Sequence, residues 1–336
     1  MTAILKAIAA GVLFLLLALP ASASEAVILM YRRFGEDGAP LSNIRLDQFE
    51  AQLQELKSGG YTVLPLPDIV AAFKNGKELP ERTVAITLEG AFASVYAEAW
   101  PRLKAAGLPF TLFVGTAALD RGNAGSMTWD QVRELQSADV AIGHHGHDRE
   151  SYLGISEQAV TADIARASAR LKAELGVAPT LFAYPSGVYD LKVRDLAAGQ
   201  GFIAAVAQYS SVADSSGSLY ELPRFALSET YASPGRFRMI VNARALPVAE
   251  VVPADPRLTA NPPAFGFSLT REVPGLSALA CYPSHLDQPA EITLLGQSRV
   301  EVRFEKPFPK GRSRINCTLP GPRGRWYWFG RPFFVD

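Results

Sequence analysis

From Ala26 to about Leu227 the apolar residues fall into two alternating textures, which predict strands and helices in turn. Short apolar runs of strand length occur at Ala26–Met30, Val84–Leu88, Phe110–Val114, Val140–Ile142, Leu181–Tyr184 and Ile203–Ala207. Helical spacing fills the intervals. Leu46, Phe49, Leu53 and Leu56 form one stripe, stopped by Gly59-Gly60. Phe92, Val95, Ala99 and Leu103 form a second, with Pro101 expected to kink it. Trp129–Gln136 and Leu191–Ala198 predict two short helices. The clearest stripe is Val160, Ile164, Ala167, Leu171 and Leu175, with Ser156 as N-cap and Gly176 as the terminating glycine. Repeated β-then-α order implies an α/β fold, a mostly parallel sheet or barrel with helices outside. The functional site of such a fold lies at the C-terminal ends of its strands.

The pattern changes near Val251, where Pro253, Pro256, Pro262 and Pro263 mark a linker-like stretch. Short strand-like segments follow at Ala264–Leu269, Leu276–Cys281, Glu291–Leu295, Val300–Phe304, Arg314–Leu319 and Arg325–Val335, with no helical period. They predict a small all-β, sandwich-like domain over 251–336, after an α/β domain over 24–250. Trp326, Tyr327 and Trp328 alternate along the last strand. Such aromatics build a sandwich core, and an exposed pair would instead mark a carbohydrate-binding face.

Residues 1–23 have a different character. Lys6 is the only charged side chain before Glu25, Ala7–Leu19 is apolar, and Ala21-Ser22-Ala23 has the small-x-small form of a cleavage site. This is the pattern of a secretory signal peptide, with an uncleaved anchor as the alternative. The run is shorter than the about 20 apolar residues of a membrane span. The expected location is periplasmic or secreted, with no membrane span after cleavage. In that oxidising setting Cys281 and Cys317, the only cysteines, are read as a disulfide, with a free thiol pair as the alternative.

Lys plus Arg and Asp plus Glu each number 33, so the basic excess of a nucleic-acid binder is missing. There are four histidines, which excludes any mechanism needing many dispersed imidazoles. Three of them, His144, His145 and His147, stand together at a strand end, in Ile142-Gly143-His144-His145-Gly146-His147-Asp148-Arg149. Two other strand-end segments carry chemistry: Thr87-Leu88-Glu89-Gly90-Ala91, and Phe182-Ala183-Tyr184-Pro185-Ser186-Gly187. On fold logic all three face one cleft.

In this order the segments resemble the polysaccharide deacetylase family, or NodB-like domain, over roughly Ala26 to Leu227. Leu29-Met30-Tyr31 and Phe110-Thr111-Leu112-Phe113-Val114 strengthen the resemblance. It implies a distorted (β/α) barrel that removes N- or O-acetyl groups from sugar polymers. It also implies a zinc-like divalent metal on one Asp and two His, a neighbouring Asp as general base, a His as acid, and a backbone N–H that holds the oxyanion.

The carry-over is incomplete. The base position falls on Glu89. The metal-binding Asp falls on Gly90, which has no side chain. The first metal-binding His falls on His145. The second falls on Arg149, a permanent cation that cannot bind a metal. Arg32 stands where the family often has a His, and Pro185 and Ser186 keep the backbone of the third motif. A leaving-group His has no candidate, since His285 belongs to the tail. The resemblance thus puts Glu89 and Ser186 in catalytic positions and His145 in a metal position. It lines the cleft with Arg32, His144, His147, Arg149, Tyr184 and Pro185. Arg149 is the expected partner of Glu89, and Trp129, Tyr184 and Tyr189 are candidates to stack on sugars. A rebuilt metal site would draw on His144, His145 and His147 with Glu89 or Asp148, converging only through a tight turn.

Two functions follow. One is a metal-dependent glycan deacetylase, a hydrolase of carbon–nitrogen bonds other than peptide bonds, with a rearranged metal site. The other is a catalytically impaired relative, without cofactor, whose cleft binds acetylated glycan, cell-envelope polysaccharide or a partner protein. A scaffold without sugar binding is a third. Metal binding separates the first from the second, and glycan binding the second from the third.

Overall fold

The computed structural model describes residues 24–336; the signal peptide read at residues 1–23 lies outside them. Six parallel strands lie side by side in chain order: β1 (Glu25–Tyr31), β2 (Thr83–Glu89), β3 (Thr111–Val114), β4 (Ala141–His144), β5 (Leu181–Ala183) and β6 (Ala204–Val206). The sheet curls, and the segment 222–227 spans the gap between its ends. Leu222 bridges Val206 of β6, and β7 (Phe225–Ala226) pairs in parallel with Leu29 and Met30 of β1.

The period of two along a strand sorts its side chains. On β2, Val84, Ile86 and Leu88 face outward and pack with α1 (Leu46–Ser58), while Ala85 lies with the inward set. The inward series on β2 ends at Glu89. α2 (Leu66–Lys74) packs against inward residues near the strand starts, such as Ala26, Leu181 and Ala204. The remaining helices are α3 (Trp100–Ala106), α4 (Thr116–Arg121), α5 (Trp129–Ser137), α6 (Glu157–Leu175), α7 (Leu191–Gly199) and α8 (Pro234–Val241). α6 begins and ends as its caps require: the Ser156 hydroxyl accepts from the Ala159 N–H, and Gly176 turns at φ +80°.

The second stripe is irregular just before Pro101. A π-helical turn, Val95–Ala99, precedes α3. The backbone stays helical from that turn into α3, so Pro101 lies within one continuous helical run, directly after the π turn.

The C-terminal part is a sandwich of two four-stranded sheets. One joins β8 (Val248–Val252), β9 (Phe265–Leu269), β12 (Arg299–Arg303) and β11 (Glu291–Leu295), in that spatial order. The other joins Arg244–Ala245, β14 (Trp326–Val335), β13 (Gly311–Pro320) and β10 (Ala280–Pro283). Phe265, Phe267, Val300, Ile315, Leu319 and Phe333 fill the space between them. Two short strands that begin before residue 251, Arg244–Ala245 and β8, join these sheets. The expected strand at Leu276 begins only at Ala280, after a 3-10 turn at Leu276–Ala278. Cys281 and Cys317 face each other across β10 and β13 and form the disulfide.

The sandwich is tied to the barrel. Tyr327 enters the sandwich core, whereas Trp328 packs edge-on against Phe225 of β7, with centroids 5.1 Å apart. Trp326 alone of the three aromatics is exposed, so they present no paired sugar-stacking face.

Candidate functional site

Four side chains meet at the C-terminal mouth of the barrel: Arg32 just beyond β1, Glu89 at the end of β2, His145 just beyond β4, and Arg224 in the closing segment. Arg224 stands between Leu222, bridged to β6, and Phe225, paired with β1. Its guanidinium and the Glu89 carboxylate are both fully buried. Arg224 Nη2 donates to Glu89 Oε2 at 2.5 Å, and Arg224 Nε donates to the Ala207 carbonyl at 2.8 Å. Arg32 Nε and His145 Nε2 lie 3.9 Å and 3.8 Å from Glu89 Oε1. His145 Nδ1 donates to the Ala183 carbonyl at 2.9 Å, which turns Nε2 toward Glu89.

Charge follows from this geometry. Burial alone would raise the pKa of Glu89. Arg224, then His145 and Arg32, outweigh burial and hold the carboxyl at about 2. A carboxylate that acidic takes a proton from water poorly at neutral pH. Burial lowers the pKa of His145, and the Glu89 charge opposes it.

The divalent metal implied by the fold does not fit these residues. Only one carboxylate and one imidazole converge, and two guanidinium groups already face that carboxylate. Among the described residues no three His, Cys, Asp or Glu side chains group as metal ligands. Gly90 turns at φ +92°, a conformation that side chains rarely adopt, and a Cβ there would sit 2.5 Å from the Phe92 ring. A side chain at position 90 would therefore be strained by the backbone and would need the Phe92 ring to move. Arg33 stacks over the far side of this arrangement, 3.9 Å from the Phe92 centroid.

The histidine loop does not rebuild a site either. His144 and His145 point to opposite faces. His144 is buried outside the barrel against Phe182 and Phe202, where Nε2 meets Ser168 Oγ at 3.1 Å and Nδ1 accepts the Gly146 N–H at 3.1 Å. It has no access to the cleft. His147 turns to Thr116 Oγ1 at 2.7 Å, and Asp148 pairs with Arg121 at 2.9 Å. Asp163 holds the loop by accepting the N–H groups of His147 and Asp148 and the Tyr152 hydroxyl. Gly146 turns at φ +74°, and a Cβ there would meet the Tyr152 oxygen at 2.6 Å.

Arg149 is not the partner of Glu89; among the described residues that carboxylate is paired with Arg224 and Arg32 and faced by His145. With His147, Arg149 lines a separate depression beside Asp163 and Arg166. Tyr184 belongs to the outward series of β5 with Phe182 and is fully buried, its hydroxyl donating to the Tyr220 carbonyl. It stacks on Tyr189, which is buried too, so neither offers a face to sugar. Trp129 donates to Asp120 and lies under Arg170. Pro185 is buried and opens the turn that presents the exposed Ser186 at φ 54°.

Ser186 and Arg32 line a cavity of about 520 Å³, whose other wall comes from the sandwich, including Arg312, Phe334 and Asp336. Arg312 Nη1 donates to the Ser186 carbonyl at 2.9 Å. Sequence reasoning missed Arg224 and Arg312. Arg224 had a signal: it is the single charge in the strand-like run Leu222-Pro223-Arg224-Phe225-Ala226-Leu227. Arg312 had none.

The neutral state of His144 gives a pH test. Burial drives its pKa down to about 4 from 6.5, and protonating Nδ1 would set a proton against the Gly146 N–H. Below pH 6.5 the unfolded chain binds the proton and the folded one does not, so stability falls with pH. The loss between pH 6.5 and 4 is expected to reach about 3 kcal/mol. Urea unfolding at pH 7, 5.5 and 4 measures it, and the slope should flatten in His144→Asn.

The curled parallel sheet, with a carboxylate at the end of β2 and a histidine just beyond β4, has the fold of solved deacetylase structures. Residues 76–205 match the family model described as Polysaccharide deacetylase, and this part of the chain is a polysaccharide deacetylase domain. The chain is 23% identical over 201 residues to YxkH of Bacillus subtilis (strain 168), a protein its name assigns to the polysaccharide deacetylases. That match spans 60% of this chain and 71% of YxkH. Among solved structures it is similar to the Streptococcus pyogenes deacetylase PplD in complex with acetate, with a TM-score of 0.60 and 22% identity, over 66% of this chain and 99% of that one. It is also similar to IcaB from Ammonifex degensii, with a TM-score of 0.57 and 23% identity, over 65% and 96% of the two chains.

Proposed function

We propose that this protein binds polysaccharide at its barrel mouth without deacetylating it. The observation that carries the proposal is the buried Glu89–Arg224 pair: the carboxylate that would act as base is committed to a guanidinium. Gly90 supports the same reading, because it offers no side chain at a metal-ligand position and among the described residues no neighbour replaces it. The chain acts outside the cytoplasm, as a periplasmic or secreted protein, once residues 1–23 are cleaved. The leader composition and the Cys281–Cys317 disulfide support that location. Its ligands are glycans of the acetylated or cell-envelope kind, which the domain's family membership supports.

Zinc calorimetry on the mature protein, with a chelator-treated control, tests the loss of chemistry. The expected result is no specific heat of binding and no acetate released from acetylated oligosaccharide. About one tight equivalent of zinc, lost in His145→Ala, would overturn the proposal and restore an active metal-dependent deacetylase.

A further inference from the structure

Behind Arg224 and beneath the sandwich lies a second cavity, of about 250 Å³, that adjoins the first and shares Gln208 and Arg312 with it. Its lining includes four arginines, Arg224, Arg236, Arg312 and Arg314, and no Asp or Glu. Arg32 stands at the neighbouring wall. Against five guanidinium groups the mouth holds Glu89, already engaged by Arg224, and Asp336, engaged by Arg257. Among the described residues, no carboxylate lies within 4.0 Å of Arg236, Arg312 or Arg314 in an ion pair. Arg312 meets only neutral acceptors, the Ser186 carbonyl and Gln208 Oε1, and Arg236 lies over the Tyr231 ring.

Hydrogen-bonding capacity is unmet in the same place. Arg224 Nη1, Arg236 Nε, Ser228 Oγ and Ser313 Oγ are buried and have no partner in the protein, and all four residues line this one cavity. A buried donor without an acceptor is costly, so such a cluster is built for a group that supplies acceptors. A neutral acetyl group offers one carbonyl. A carboxylate or phosphate offers several oxygens and the opposite charge, and the planar guanidinium fork matches either. The positive charge is local, since the chain as a whole is neutral, and it gathers around one small cavity rather than along an extended face. That geometry favours a single charged residue over a nucleic-acid backbone.

From this we infer that the cavity binds an anionic sugar residue, carboxylate- or phosphate-bearing, of the polysaccharide seated at the mouth. The inference rests on the polysaccharide-binding function proposed above and names its ligand class. The sandwich supplies Arg312 and Arg314, so it completes the binding site.

Calorimetry with three oligosaccharides of equal length tests it: one of uronate residues, one phosphorylated, one neutral and acetylated. At least one charged oligosaccharide is expected to bind about 10-fold or more tightly than the neutral one, as charge-assisted contacts to two guanidinium groups should give. Added salt should shrink the advantage, and Arg312→Ala/Arg314→Ala should abolish it. Both arginines are exposed, and an unchanged melting temperature will show that the variant folds. Equal binding of charged and neutral sugars, or an advantage that survives the double substitution, would overturn the anion site while leaving polysaccharide binding intact. No binding of any of the three would overturn both.

Discussion

Glu89→Gln is expected to destabilise the barrel by about 3–5 kcal/mol, because it leaves the Arg224 charge buried without its counter-ion. The substitution keeps the shape of the side chain, so the loss reports charge rather than volume. Replacing both partners with apolar residues, Glu89→Leu with Arg224→Met, should recover much of that loss, since neither charge then needs solvating. Urea unfolding of the three variants measures this directly. The sign of the pH dependence is set by the depressed Glu89 pKa: its contribution is complete above pH 4.5 and is lost as pH falls through about 2. The gap between wild type and Glu89→Gln should therefore stay constant from pH 7 to 5 and narrow only in more acidic buffer. A cost below about 1 kcal/mol at pH 7, typical of exposed pairs, would mean that the pair is solvated.

The second large effect concerns the sandwich. Joining Cys281 to Cys317, which are 36 residues apart, constrains the unfolded chain by about 4 kcal/mol on the loop-entropy model. β10 is an edge strand, bonded within its sheet only to β13. Cys281→Ala/Cys317→Ala should lower stability by that amount and release the C-terminal region first. Denaturation followed by Trp fluorescence, with Trp326 and Trp328 in the sandwich and Trp100 and Trp129 in the barrel, will report the two parts. If the sandwich shapes the anion cavity through Arg312 and Arg314, this variant should also lose affinity for charged sugars near its melting transition.

The barrel mouth has an inverted electrostatic plan relative to the deacetylase chemistry its sequence resembles. That chemistry holds a cation among acids and imidazoles. Here a single acid is held among cations, and the surplus positive charge faces two cavities. The residues that set this plan are few: Glu89, Arg32 and Arg224 at the mouth, and Arg312 and Arg314 from the sandwich.

Much of this was written in the linear sequence. The helical stripe Val160 to Leu175 with its two caps, the buried strand runs and the pair of cysteines rest on local periodicity and turn chemistry, which act over a few residues. So does the departure at Gly90, visible as a missing side chain in a motif. Alternation along a strand also foretold that His144 and His145 diverge. Extended to β5, it would have placed Tyr184 outside the barrel with Phe182. The partner of Glu89 was beyond such reasoning. Arg224 is 135 residues away and reaches the carboxylate only because the segment 222–227 closes the curled sheet. Arg312 comes from a different unit altogether, carried to Ser186 by the docking of Trp328 on Phe225. Local pattern determined the strands, the helices and the lost ligand. Which charges met inside the mouth was decided by tertiary closure, because pairing at a few ångströms depends on where distant segments pack and not on their spacing along the chain.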